Sequence, residues 1–144
     1  EWYEQLGLTD LELSYELTLK QSAKIGGSLP RGLLLYGRLP LMLCRNCPGK
    51  NDGKNCKNCN GTTWLTDRKN IKFPVQCDYG CSEVLNAVPL TMSDRISDIS
   101  GMNFGILRFT VENSVEIEET FQQFLYQKVP LGHYTRGLYE KGIK

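Results

Sequence analysis

Apolar residues fall along this chain in short bursts, and glycine, proline or asparagine closes most of them. Residues 1–7 predict the end of a helix stopped by Gly7. Residues 8–13 predict a short strand. Residues 17–25 predict a short helix with Thr18 as its cap and the Gly26-Gly27 pair at its end. This α-β-α succession is typical of parallel α/β folds. Residues 32–43 carry the longest apolar stretch and predict a buried strand interrupted at Gly37 and Pro40. Proline has no N–H for a ladder, so the strand should end, bulge or lie at an edge there.

Further along, residues 64–67 and 71–75 predict a hairpin. Its turn is Arg68-Lys69-Asn70, and Asn70 accepts the left-handed conformation of a tight turn. Residues 83–91 predict another strand, and residues 93–99 a short helix capped by Ser93. Residues 105–112 alternate, with Leu107, Phe109 and Val111 on one face. A helix opens at Asn113 or Ser114, with Glu116, Glu118 and Glu119 near its positive end. Its stripe of Ile117, Phe121, Phe124, Leu125 and Lys128 predicts a face laid on a sheet. The tail from His133 holds too many glycines and charges for a long helix.

With 144 residues the chain forms one modest domain with a real core. It opens on Glu1 rather than Met, which predicts a segment of a longer protein. No apolar run approaches the roughly 18 residues of a membrane span. The net charge of +1 hides an uneven spread. Residues 31–72 hold nine Lys or Arg against Asp52 and Asp67, while both flanks are acidic. Such a segment suits either an anionic partner, RNA phosphate for example, or a solvated loop.

That basic segment contains LCRNCPGKNDGKNCKNCNG (43–61), two C-x2-C pairs within sixteen positions. Two intervening residues let both sulfurs turn toward one point, so the spacing reads as a metal-ligand pattern. Disulfides fit less well, because a chain with its own core needs no staples. Spacing alone nominates Cys44, Cys47, Cys56 and Cys59. Four thiolates suit zinc or a [4Fe-4S] cluster. There is no Ser/His/Asp set, no G-x-S-x-G and no H-E-x-x-H, and the single histidine is His133.

Four blocks, YGRLPLMLCRNCP (36–48), LTDRKNIKFPVQC (65–77), SEVLNAVPL (82–90) and YTRGLYEKGI (134–143), resemble the collagenase-like peptidase family U32. ELSYELTLKQ (12–21) is similar to the family's preceding strand and helix. The resemblance implies the C-terminal portion of a parallel (β/α) barrel, because a whole barrel takes about 250 residues. The expected fold is thus α/β, or α+β for the isolated fragment: one domain over 1–144, with an inserted hairpin and a cysteine-rich subregion over 43–81.

The resemblance also implies a ligand set of Cys47, Cys56, Cys59 and Cys77 for a [4Fe-4S] cluster, or for zinc after handling in air. Cys44, where relatives carry Thr or Ser, and Cys81 are then spare. Arg38, Asp67, Arg68, Arg108 and Arg136 lie in the matched blocks and are candidate substrate-binding residues, since arginine clamps carboxylate or phosphate. The alternative is that Asp67 and Arg68 shape the hairpin and Arg108 pairs with Glu112 or Glu116.

By resemblance, the intact bacterial, cytoplasmic protein supports prephenate-dependent hydroxylation of RNA bases, and the fragment alone is inactive. A genuine peptidase and a non-catalytic zinc-binding interaction module are the alternatives. No residue is nominated as catalytic. Expected partners are RNA, the missing N-terminal half, and a second copy across an exposed strand edge.

Overall fold

The computed structural model describes residues 2–52, 61–78 and 80–141. Helices and strands are mixed, and the strands form two four-stranded sheets. The first sheet is built on β2 (Arg31–Gly37). One edge of β2 takes β1 (Leu11–Glu12) in parallel near its start and β7 (Leu90–Thr91) antiparallel near its end. The other edge takes β8 (Phe104–Arg108) in parallel. Five of the seven β2 residues are buried, as expected of a strand covered on both faces. The second sheet is antiparallel, in the order β3 (Pro40–Cys44), β6 (Cys81–Leu85), β5 (Lys72–Asp78), β4 (Thr62–Thr66). Among the described residues neither sheet closes into a barrel.

The apolar stretch 32–43 is thus two strands in two sheets, not one interrupted strand. Gly37 makes the corner with φ +147°, and a Cβ there would lie 2.8 Å from the Arg108 carbonyl oxygen. The stretch 83–91 divides in the same way. It leaves the second sheet at Leu85 and re-enters the first at Leu90. The Arg38 guanidinium ties these crossings together by donating to the Asn86 and Ala87 carbonyls. The Asn86 N–H in turn donates to the Leu39 carbonyl at 2.8 Å. The second sheet is therefore an insertion between β2 and its antiparallel partner β7.

Capping sets the local ends. Helix α1 (Trp2–Gln5) is followed by Gly7 at φ +81°. Helix α2 (Leu19–Ser22) starts at Thr18, and α3 (Ser114–Leu125) at Asn113, each with a complete capping box. The hairpin turn holds Asn70 at φ 61°, and Asp67 Oδ1 accepts from the Lys69 and Ile71 N–H groups. Ser93 caps no helix. Its hydroxyl donates to the Lys128 carbonyl, and only a 3-10 turn forms, over Ile96–Asp98.

Leu13, Leu33, Leu90, Met92 and Tyr139 form the core on one face of the first sheet. On the other side Tyr36, Phe109 and Phe121 stack in sequence at 5.2 and 5.6 Å, joining β2 to α3. The expected stripe of α3 is only partly used: Ile117 and Phe124 are half-buried, Phe121 and Leu125 are exposed, and the buried residue of the helix is Thr120, outside the stripe. Among the described residues no helix is long and apolar enough to cross a membrane.

Two buried tyrosines make stability depend on alkaline pH. Burial, then the Glu112 carboxylate, push the Tyr36 hydroxyl up to about 12. Burial likewise raises Tyr139, whose hydroxyl donates to the Leu34 carbonyl at 2.7 Å. A folded-state value above the unfolded one, about 10, stabilises the fold fully below pH ~10 and ceases to do so as pH climbs through about 12. The thermal midpoint is expected to fall across that window, and to fall less in Tyr36→Phe, as followed by circular dichroism.

Candidate metal centre

All six cysteines lie between positions 44 and 81, within the inserted sheet and its connections. β3 ends at Cys44, the chain bends, and Cys47 precedes a 3-10 turn over Pro48–Asp52. The Cys47 carbonyl accepts from the Lys50 N–H at 3.0 Å. Gly49 lets this turn press on β4, since a Cβ there would meet the Thr63 side chain at 2.6 Å. On the neighbouring hairpin, Cys77 stands directly across from Ser82 of β6, and its N–H donates to the Gly61 carbonyl at 2.7 Å.

These elements bring the Cys47 and Cys77 sulfurs to 3.6 Å from each other, although thirty positions separate them in sequence. A covalent disulfide would need about 2.0 Å. The buried Ser82 hydroxyl lies 3.2 Å from the Cys77 sulfur. Burial acts to raise the Cys47 thiol. The contacts with Cys77, the Gly49 backbone, Ser82 and the Lys50 backbone outweigh it, and the thiol is held below its ordinary range. A depressed thiol supplies the thiolate that metals bind.

The other cysteines divide by face. Cys44 also pairs with Ser82, from the opposite side, so Cys44, Ser82 and Cys77 form one row across the sheet. Cys81 pairs with Asp78 one position along, which puts it on the reverse face. There it lines a separate cleft of about 440 Å³ with Glu83 and Arg108. Cys56 and Cys59 lie outside the described residues. Among the described residues no group of three or more His, Cys, Asp or Glu is placed to hold a metal.

The candidate substrate-binding residues are dispersed. Arg38 serves the crossing and lies 3.5 Å from Glu112. Arg108 pairs with Glu83 at 2.8 Å, and with neither Glu112 nor Glu116. Arg136 pairs with Asp94 at 2.7 Å and donates to the Thr91 carbonyl. Asp67 holds its own turn, and Arg68 is exposed on it. His133 is exposed.

No family model, curated protein or solved structure matches the chain. The centre therefore rests on its own geometry. Ser82 is the residue that sequence reasoning missed. A serine beside a cysteine carries no pattern, and only the pairing of β5 with β6 reveals it.

Proposed function

We propose that Cys47, Cys56, Cys59 and Cys77 bind one inorganic centre that closes the inserted sheet, in a chain similar to family U32. The observation that carries this reading is the 3.6 Å between the Cys47 and Cys77 sulfurs. Two thiolates on one tetrahedral zinc, with Zn–S near 2.3 Å, stand about 3.8 Å apart, so this pair fits one edge of such a site. In a [4Fe-4S] cluster each thiolate takes its own iron and points outward, which requires a wider separation. The geometry thus favours a single ion, while the resemblance favours the cluster.

The ion would supply folding energy, because a loop this rich in glycine, asparagine and lysine has few apolar groups of its own to bury. Braced in this way, the exposed Arg45, Lys50, Arg68, Lys69 and Lys72 of the basic segment would face an anionic partner, RNA being the class that the resemblance implies. The parallel pairing of β1 and β8 with β2 would suit part of a (β/α) barrel. The lowered Cys47 thiol, and a Cys47–Cys77 sulfur separation too long for a disulfide, fit a reducing, cytoplasmic setting. The peptidase reading gains no dyad from the exposed His133.

Metal analysis of protein prepared without oxygen tests the proposal. The expected result is one zinc per chain and a colourless solution. A brown protein with about four irons per chain would assign the cluster instead. Binding of neither metal in stoichiometric amount would overturn the proposal.

A further inference from the structure

A second site lies away from the cysteines, where α3 and the 130–134 segment meet the ends of both sheets. It is a cleft of about 510 Å³, the size of a small molecule rather than of a folded partner. Tyr36, Trp64 and Tyr134 contribute its aromatic surface. Tyr134 already accepts a cation, since the Arg136 guanidinium lies 4.7 Å from its ring centroid, with its charge matched by Asp94.

The cleft is rich in acceptors and poor in available positive charge. Its lining holds three carboxylates, Glu112, Glu116 and Glu119, against one cation, Arg38. That arginine is engaged with the two carbonyls of the crossing and with Glu112. Glu112 is also occupied by the Tyr36 hydroxyl and the Thr110 and Val111 N–H groups. Glu116 gives one oxygen to the Asn113 N–H. Glu119 has no ion-pair partner among the described residues. The independent sign of a ligand is Thr91. It lines the cleft, is 2% exposed, and keeps a buried hydroxyl with no hydrogen-bond partner. An unsatisfied buried hydroxyl is costly, and a donor arriving in the cleft would relieve that cost.

We propose that this cleft binds a small organic cation, an alkylguanidinium or alkylammonium, with its charged head toward Glu119 and Thr91 and its apolar stem against Trp64 and Tyr134. An anionic ligand, the class expected of an arginine clamp, would meet surplus carboxylate there. The proposal goes beyond the metal centre and is independent of it.

The chain has two tryptophans, Trp2 and Trp64, so the full chain carrying Trp2→Phe reports on the cleft through Trp64 alone. Agmatine is expected to change its emission saturably, and glutarate to leave it unchanged. Glu119→Gln should weaken agmatine roughly fivefold, the loss of one charge-assisted contact, with an unaltered thermal midpoint. Thr91→Val, which keeps the shape and removes the hydroxyl, should also weaken it. A non-saturating response, equal binding of glutarate, or parental affinity in both variants would overturn the proposal.

Discussion

Cys77→Ser is expected to lower metal affinity by more than about 100-fold, the upper end of what loss of a group outside the ligand set costs. It is also expected to lower the thermal midpoint of the inserted sheet. A serine hydroxyl is a poor substitute for a soft thiolate, and the 3.6 Å contact with Cys47 would lose its second sulfur. The comparison variants make the result specific. Cys81→Ser, on the reverse face of the sheet, should leave metal content unchanged. Cys44→Ser separates the two candidate ligand sets, because Ser82 stands between Cys44 and Cys77 in the row. Loss of metal in Cys44→Ser together with retention in Cys77→Ser would restore the assignment from spacing alone. Ser82→Ala should cost on the order of tenfold, as expected of a group that orients a ligand. Metal per chain and competition against a chelator read all four.

Gly37→Ala is expected to destabilise the fold by about 3 kcal/mol, from backbone strain together with overpacking. The backbone there, at φ +147°, lies in a region that side chains avoid, and the new methyl would meet the Arg108 carbonyl oxygen at 2.8 Å. Neither penalty is easily relieved, because the obstacle is backbone paired in a sheet. Gly26→Ala is the matched control: it has open space and an ordinary φ, and should be nearly neutral. Denaturant unfolding of both variants gives the difference, and equal stabilities would remove Gly37 from its role at the corner.

Local chemistry was legible in the sequence wherever one or two turns of chain decide the outcome. The Asn70 turn, the Thr18 and Asn113 caps and the stop at Gly7 follow from side-chain and backbone chemistry within a few residues. What the residues did not disclose was set at long range. Gly37 and Pro40 mark a break in 32–43, but nothing local says that the two halves enter different sheets. Arg108 has Glu112 and Glu116 close in sequence, yet pairs with Glu83, which the packing of the two sheets brings nearer. The apolar stripe of α3 predicts a covered face, yet Phe121 and Leu125 stay exposed. Of the proposed metal set, the spacing marks the two C-x2-C pairs, and only the folding of the hairpin brings Cys77 to Cys47.

The way the second sheet joins the first has a consequence for how such a chain can diversify. Its first and last strands are hydrogen-bonded neighbours, with Pro40 opposite Leu85, so the excursion begins and ends at one place. The register of Tyr36 against Thr91 is fixed before the chain departs and after it returns. Loops of any length, with any number of sulfurs, could therefore be exchanged beyond that neck, like a head on a common handle, while the handle keeps its packing.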